Sequence, residues 1–229
     1  MRVKFFFIYL FLCIFFFCVI FSCTQKLDEK TVKTTLLNYG KENTENIVRI
    51  QTKYGVIVCS LYVDTPLHRA NFVRLIKNGY YKDNTEFYRV IHRFMIQGGD
   101  LGKLVAKEEK VMIPAEFNPK YFHKRGALAM ARPDENNPEK KSSPTEFYII
   151  QGTKYDSLEL QWAAKQYNLQ VTPLQFQTYT TIGGDITLDM RYTVFGEVIE
   201  GLEIIDKIAI VETYSNDKPI KKIPFTIDL

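Results

Sequence analysis

One short segment of the sequence carries most of the side chains that could do chemistry. Alternation along a β-strand would place Phe87, Arg89 and Ile91 on one face. Tyr88 and Val90 would then share the opposite face. A lone arginine between apolar neighbours is either a salt-bridge partner whose stem lies along the surface or a cation aimed into an apolar groove. The spacing alone favours the salt bridge, because strand faces often carry one charged residue.

The residues that follow this arginine could bind part of a ligand. Phe94 and Met95 offer apolar contact, and Gln97 offers an amide that both donates and accepts hydrogen bonds. Gly98 and Gly99 permit a turn with unusual backbone angles. The segment therefore combines a cation, a neutral polar group and an apolar pair.

Other catalytic chemistries have little support. His68, His92 and His123 lack the close spacing of a zinc-binding pair. The sequence has no G-x-S-x-G nucleophile motif and no glycine-rich phosphate loop followed by lysine. Cys59 lies in an apolar strand and is predicted to be a small buried hydrophobic residue rather than a nucleophile. We expect neither a metal nor a cofactor.

The charge balance limits the partners. The 229 residues include 30 basic and 26 acidic side chains, a net charge of +4. Residues 1–23 hold two of the basic side chains and no acidic one, which leaves +2 for the rest. A nucleic-acid binder that relies on a basic surface is therefore not expected.

Short strands dominate the elements that must position these residues. Strands are predicted at residues 47–52, 56–62, 86–91, 94–97, 126–131, 146–151, 192–198 and 225–229. Amphipathic helices are predicted at residues 66–78 and after Gly201, and a helical pair is predicted within residues 153–184. The polar stretches 107–110 and 132–144 are predicted surface loops. This pattern favours an antiparallel barrel or sandwich.

The N-terminal segment resembles an export signal. Arg2 and Lys4 precede a long apolar run, which is the order found in signal peptides. The run ends at Cys23, and a cysteine after a small residue resembles the lipidation site of a bacterial lipoprotein. An uncleaved membrane anchor and plain secretion remain alternatives, and all three export the domain. We predict a signal peptide at residues 1–22 and a flexible tether at residues 23–46.

Three segments together resemble the signature sequences of the cyclophilins, the cyclosporin-binding family of peptidyl-prolyl cis/trans isomerases. They are FYRVIHRFMIQGGD at residues 87–100, GALAMA at 126–131 with SPTEFYI at 143–149, and LD at 188–189 with YTVFGEV at 192–198. The matches run in family order from about residue 47 to the C-terminus. This context favours a functional arginine at position 89 over a surface ion-pair residue.

The resemblance implies a fold and a set of roles. The fold would be mainly β: an eight-stranded antiparallel barrel flanked by two helices, spanning residues 47–229, here with an inserted helical pair at about residues 153–184. The substrate would lie in a surface groove. By matching position, Arg89 would be the catalytic arginine and Gln97 would hold the substrate backbone. The residues that would line the proline pocket are Phe94, Met95, Tyr148 and Leu188. The residues that would edge the groove are Ala131 and Arg132, which would bind the residues before the proline, and Tyr192, which stands where many members have histidine.

The sequence departs from the family at several groove positions. Thr187 stands where eukaryotic members have a tryptophan associated with cyclosporin binding, so weak cyclosporin affinity is predicted. Met190 replaces a turn glycine and would be strained if that position needs positive φ. Glu146 replaces a common glutamine and is expected to pair with Arg132 or Arg89.

The helical insert is absent from the minimal fold of the family. Trp162, the only tryptophan of the chain, is expected to pack the insert onto the barrel. Docking of a partner on the insert is the alternative, because aromatic residues also anchor interfaces.

The predicted function is that of a peptidyl-prolyl isomerase that assists the folding of exported or envelope proteins. Arg89 would donate a hydrogen bond to the proline nitrogen in the twisted transition state. The alternative is a catalytically weak module of the same fold that binds proline-containing peptides. The expected partners are proline-containing polypeptides and a membrane reached through lipidated Cys23, with no nucleic acid, and the protein is expected to be a monomer.

Overall fold

The computed structural model of the chain describes residues 29–83, 85–100 and 111–229. Within these residues, eight strands form one antiparallel sheet with the order β3-β4-β6-β5-β7-β2-β1-β8. The strands are β1 (Ile47–Thr52), β2 (Gly55–Leu61), β3 (Phe87–Ile91), β4 (Met95–Gly98), β5 (Ala127–Met130), β6 (Phe147–Ile150), β7 (Val194–Glu200) and β8 (Phe225–Asp228). The predicted signal peptide, Cys23 and the polar stretch at 107–110 lie outside the described residues.

The two edge strands of the sheet meet and nearly close it into a barrel. Glu86 and Pro224 form an isolated antiparallel bridge between β3 and β8. The amide of Phe87 donates to the carbonyl of Ile223 at 3.0 Å, and the amide of Phe225 donates to the carbonyl of Thr85 at 3.1 Å. Closure leaves few unpaired edge groups, which is how a barrel avoids pairing with other chains. The predicted mainly β barrel is confirmed.

Five α-helices accompany the barrel within the described residues. They are α1 (Glu29–Glu42), α2 (Pro66–Lys77), α3 (Ser157–Gln166), α4 (Pro173–Thr181) and α5 (Leu202–Ala209). Pro66 at the first position starts α2, since its fixed φ suits a helix N-terminus. Gly201, at φ 87°, precedes α5 in a left-handed conformation that side-chain-bearing residues adopt only with strain. The two framework helices predicted from the sequence are α2 and α5.

The barrel interior and these two helices share one hydrophobic core. Phe72 of α2 packs against Phe147 and Phe195 with edge-to-face rings at 5.4 and 5.3 Å. Ile205 of α5 is buried in the same cluster, and so is Cys59. The interior is therefore filled by side chains and leaves no room for a ligand inside the barrel.

The predicted helical insert is present as α3 and α4. Asp156 caps α3 by accepting from the amides of Leu158 and Glu159, both at 2.8 Å, and the Glu159 carboxylate accepts from the amide of Asp156 at 3.0 Å. Small and aromatic side chains pack the insert against the barrel: Leu160, Ala163, Ala164 and Tyr179, with Phe122 and Ile186. The prediction that Trp162 performs this packing is wrong, because its side chain is 65% exposed.

The tether prediction is wrong for residues 29–46. Residues 29–42 form α1, which buries Val32 and Leu36 against α2. The buried guanidinium of Arg69 donates to the carbonyls of Gly40 at 3.0 Å and Asn43 at 2.9 Å. These bonds satisfy carbonyls at the helix end that have no partner within the helix. Within residues 29–83, 85–100 and 111–229, no helix combines the length and the apolarity needed to cross a bilayer.

Candidate active site

Adjacent strands place the predicted site residues in rows on the outer wall of the barrel. Arg89 on β3 is paired with Gln97 on β4, and Gln97 is paired with Tyr148 on β6. The next row along the strands pairs Ile91 with Met95. Residues that share a row and a face are close neighbours, so the cation, the amide and the apolar residues form one surface.

A β-bulge changes the predicted alternation along β3. The register shifts between Phe87 and Arg89, so an extra residue is inserted opposite β4. Phe87 is consequently fully buried in the barrel core with Val90, and only Arg89 and Ile91 keep the outward direction. The prediction that Phe87 shares a face with Arg89 is wrong. The bulge also turns Tyr88 toward the site.

A chain of hydrogen bonds joins four polar side chains at the site. The Nη1 group of Arg89 donates to Oε1 of Gln97 at 3.4 Å, and Nε2 of Gln97 donates to the hydroxyl of Tyr88. That hydroxyl donates to Oε1 of Glu146 at 3.3 Å. Because the amide nitrogen of Gln97 is bonded to the Tyr88 hydroxyl, the amide oxygen of Gln97 faces Arg89.

Glu146 occupies a different position from the one predicted. Its carboxylate accepts from the Tyr88 hydroxyl, and its backbone amide donates to Oγ of Ser143 at 3.2 Å, so the predicted pairing with Arg132 or Arg89 is wrong. Burial, together with the charge of Asp100, raises the pKa of the Glu146 carboxyl. Burial also raises the pKa of Tyr88 well above its ordinary value, which keeps the hydroxyl protonated as a donor.

An acidic residue from a distant loop fixes the other side of Arg89. Oδ2 of Asp217 accepts from Nε of Arg89 at 3.3 Å, and the carbonyl of Asp217 accepts from the amide of Val90 at 2.8 Å. The Arg89 side chain is 41% exposed. A guanidinium carries five N–H donors, so these two contacts leave donors for a ligand.

An apolar slot lies beside the guanidinium. Met95, Ala131 and Tyr148 are buried in one cluster on the outer wall, and Phe94, Leu188 and Tyr192 pack against it with part of their surfaces exposed. All six predicted pocket and edge residues of apolar type therefore meet in one place. Aromatic and aliphatic side chains that keep part of their surface exposed beside a few polar groups are typical of a small ligand site.

Arg132 and Tyr192 form one edge of the slot. The guanidinium of Arg132 lies 4.5 Å from the ring centroid of Tyr192. Its Nε donates to the carbonyl of Arg191 at 3.0 Å, and its Nη1 lies 2.9 Å from Oδ1 of Asp134. The Tyr192 ring meets Tyr148 edge to face at 6.0 Å. The edge is therefore held in place on both sides.

A buried network beneath the slot was not predicted from the sequence. The hydroxyl of Tyr148 lies 3.0 Å from Nε2 of His123, and Nδ1 of His123 lies 2.9 Å from Oδ1 of Asp189. The hydroxyl of Tyr179 on α4 donates to Oδ2 of Asp189 at 2.7 Å. The slot floor is thereby connected to the helical insert. No local pattern in the sequence signals this network, because His123, Tyr148 and Asp189 come from segments that are far apart in the chain.

The remaining departures from the family pattern have structural consequences. Met190 has φ 57°, so the strain expected at this position is present. Thr187 donates to Oδ1 of Asp185 at 2.6 Å in a short 3-10 helix, Ile186–Leu188. Cys59 is fully buried, and burial raises the pKa of its thiol to about 12, so it is no nucleophile. Within the described part of the chain, no cluster of three or more His, Cys, Asp or Glu residues could hold a metal ion.

The fold and the slot on its outer wall define a cyclophilin-like barrel. The sequence profile described as "Cyclophilin type peptidyl-prolyl cis-trans isomerase/CLD" matches residues 47–227. The chain belongs to the family of cyclophilin-type peptidyl-prolyl cis-trans isomerases.

Curated relatives are similar over most of the chain. A Staphylococcus saprophyticus protein named "Putative peptidyl-prolyl cis-trans isomerase" is 33% identical over 203 residues, which cover 84% of this chain and 97% of the relative. A Streptococcus pyogenes protein named "Putative bifunctional phosphatase/peptidyl-prolyl cis-trans isomerase" is 35% identical over 182 residues. That match covers 75% of this chain but spans only 36% of the relative's length.

Solved structures share the fold at lower identity. A cyclophilin-type peptidyl-prolyl cis-trans isomerase from Cryptosporidium parvum has a TM-score of 0.57 at 24% identity, covering 80% of this chain and 98% of its own. A second structure of that protein, determined in the presence of the dipeptide Ala-Pro, has a TM-score of 0.56 at 24% identity and covers 80% of this chain and 99% of its own.

Proposed function

We propose that the protein is a membrane-tethered prolyl isomerase that assists the folding of exported or envelope proteins, with Arg89 as the catalytic residue. The observation that carries the proposal is the position of Arg89 at the edge of an apolar slot, held by Gln97 and Asp217. The Ala-Pro dipeptide used with the Cryptosporidium parvum protein supports a proline residue as the occupant of the slot.

The proposed reaction is rotation about one peptide bond, with no bond made or broken. The barrier of about 18–20 kcal/mol arises because rotation removes the amide resonance. In the twisted state the proline nitrogen regains its lone pair and becomes a hydrogen-bond acceptor. A guanidinium N–H aimed at that nitrogen therefore stabilises the transition state more than the planar ground state. Arginine suits this task because it stays charged and its donors form a rigid fork.

One hydrogen bond does not account for the whole acceleration. Uncatalysed exchange takes about 10–100 s. Millisecond turnover requires an acceleration of about 10⁴–10⁵, which corresponds to roughly 5.5–7 kcal/mol. A hydrogen bond to a charged group contributes about 1.5–3 kcal/mol. The remainder comes from the slot, which holds the proline ring while Gln97 and the Arg132 edge anchor the flanking backbone.

The test is the exchange rate of an Ala-Pro peptide measured by NMR, with wild type and Arg89→Ala compared. The substitution should lower kcat/KM by about 10- to 100-fold, the loss expected for one charge-assisted hydrogen bond. Peptide affinity should fall only modestly because the slot remains. Arg49→Ala, on the exposed side of β1, is the matched control and should keep full activity. A wild-type protein that does not accelerate exchange would refute the isomerase proposal.

The location at a membrane surface is proposed from the leader. Because α1 begins at Glu29, the chain between Cys23 and the folded domain can span at most about 22 Å. A lipid on Cys23 would therefore keep the domain close to the bilayer. Radiolabelled palmitate should be incorporated in cells that express the wild type and not in cells that express Cys23→Ala. The substituted protein should no longer sediment with membranes, and equal labelling of both proteins would contradict the lipoprotein assignment.

A further inference from the structure

A second groove lies next to the apolar slot, between the barrel and the helical insert. We call it the insert groove, and it has a volume of about 560 Å³. Leu158, Trp162 and Tyr167 line it on the insert side, while Thr187 and Arg93 line it on the barrel side. A volume of this size accommodates a large side chain together with part of its backbone.

The insert groove and the slot are lined by consecutive residues of the chain. Thr187 immediately precedes Leu188, and Arg93 immediately precedes Phe94. Leu188 and Phe94 are two of the partly exposed residues that pack against the slot cluster. We therefore expect a polypeptide that leaves the slot past these two residues to reach the insert groove.

The insert side of the groove exposes more apolar surface than packing requires. Leu158 and Trp162, four residues apart on α3, face the same way and are 77% and 65% exposed. Other residues of α3, among them the fully buried Leu160, form the face that packs against the rest of the protein. Single exposed apolar residues are ordinary, but a contiguous group that lines a concavity is typical of a binding surface.

The strand register gives the direction of the groove relative to the slot. At one end of β6, the Glu146 carbonyl accepts from the amide of Ala131. At the other end, the carbonyl of Phe94 accepts from the amides of Gln151 and Gly152, both at 2.9 Å. The insert groove lies at this second end of β6, because Arg93 and Thr153, the residue after Gly152, both line it. The family resemblance assigns the Ala131 end to residues before the proline, so the insert groove lies on the path of residues after it.

We propose that the insert groove is a specificity subsite that binds a large apolar or aromatic side chain within the first few residues after the substrate proline, with Trp162 as its main contact. The inference rests on the proposed function for the position of the proline. The occupant is the substrate rather than a separate partner, because the groove shares its barrel wall with the slot. Burying an apolar side chain against Trp162 strengthens substrate binding in proportion to the area removed from water.

Trp162 itself provides the binding readout, because it is the only tryptophan of the chain. The probes are the peptide Ala-Ala-Pro-Ala-Ala-Ala and three versions with one phenylalanine at the first, second or third position after the proline. A version with phenylalanine before the proline is the positional control. At least one of the three should shift the tryptophan emission to shorter wavelength and bind about five- to tenfold more tightly than the alanine peptide, as expected for partial burial of an aromatic ring. The alanine peptide and the positional control should not shift the emission.

Variants of the insert separate this subsite from a structural role. Trp162→Ala and Leu158→Ala should each remove the preference for phenylalanine by raising KM at unchanged kcat. Activity on the alanine peptide should stay the same. Leu174→Ala is the matched control, since Leu174 lies on α4 of the same insert, is 64% exposed and is not part of the groove lining. Because all three side chains are exposed, thermal unfolding should be unchanged in each variant.

Three results would overturn the proposal. The first is equal affinity of the wild type for all the peptides. The second is a loss in Trp162→Ala that affects the alanine peptide as strongly as the phenylalanine peptides. The third is a change of sedimentation coefficient in that variant, which would make the groove an interface between two copies of the chain. Affinity is measured by calorimetry, which does not depend on turnover. The two proposals can therefore fail separately. A protein that prefers phenylalanine peptides through Trp162 but does not accelerate exchange would support the subsite and refute the isomerase.

Discussion

Asp217 is bonded to β3 twice, by its carboxylate to Nε of Arg89 and by its carbonyl to the amide of Val90. The side-chain bond measures 3.3 Å and the backbone bond 2.8 Å. The backbone bond keeps the loop against the strand, and the carboxylate limits rotation of the guanidinium about its stem. Asp217 is therefore a positioning residue for the proposed catalytic group.

Asp217→Asn should lower kcat by about two- to fivefold with little change in KM, because a neutral acceptor replaces a charged one in a pair that is partly exposed. Asparagine is the appropriate substitution because Asp217 has φ 65°, which asparagine tolerates. Exchange NMR over a range of peptide concentrations separates the two constants.

Two comparisons distinguish positioning from a loss of stability. In the Arg89→Ala background, Asp217→Asn should have no further effect on kcat, since its target has been removed. Glu45→Gln breaks a comparable pair with Lys77, at 2.5 Å and with both side chains partly exposed at the C-terminal end of α2, and should leave kcat unchanged. Additive losses in the double variant would contradict the positioning role.

Glu146 should make the stability of the protein depend on pH. Its pKa is raised in the folded state from the ordinary 4.5, mainly by burial. The folded state therefore holds the proton more tightly than the unfolded state, and stability falls as pH rises from about 4.5 through the folded-state pKa. Above that range the penalty is fully present.

Glu146→Gln removes the charge and keeps an acceptor for the Tyr88 hydroxyl. The variant should be more stable than wild type at pH 7 in urea unfolding, and the difference should shrink as pH falls to about 4.5. A constant difference across this range would show that the carboxyl is not the titrating group.

Helix α1 should contribute to the stability of the domain. Leu36 is 4% exposed and packs with Leu67 and Ala70 of α2. Leu36→Ala should cost about 2 kcal/mol or more of unfolding free energy, as expected for a buried leucine. Thr34→Ala, on the exposed side of the same helix, should change it by less than about 0.5 kcal/mol. An unchanged urea midpoint in Leu36→Ala would restore the view of this segment as a tether.

The barrel was predictable because alternation and helix caps are local signals. The hairpin of β1 and β2, the helix from Pro66 and the two helices of the insert were all predicted, since each depends on residues a few positions apart. The slot residues were predicted through the family resemblance, which encodes contacts between distant segments. Periodicity alone left Arg89 as a surface ion-pair residue, and its pairing with Asp217 shows that this interpretation was partly correct.

The remaining features depend on contacts that no local pattern carries. The bulge beside Phe87 arises from pairing with β4, and a reading of alternation along one strand cannot detect it. Asp217 lies 128 residues from Arg89 in sequence. The segment before β1 looked like a tether because only Val32, Leu36 and Gly40 of α1 are buried, too few to give a clear apolar stripe.

The network beneath the slot supplies the last prediction. Tyr179 is fully buried, and its hydroxyl donates to Oδ2 of Asp189 at 2.7 Å. Tyr179→Phe keeps the ring that packs against Phe122 but removes this donor from a buried carboxylate. The loss should cost about 1–3 kcal/mol of unfolding free energy, measured by urea unfolding. Tyr214→Phe, at a 56% exposed site, should change it by less than about 0.5 kcal/mol.

The same substitution should also affect substrate binding. Because Asp189 also holds His123 beneath Tyr148, Tyr179→Phe should raise KM for proline peptides while leaving kcat nearly unchanged. A variant as stable as wild type would show that the insert is not connected to the slot through this bond.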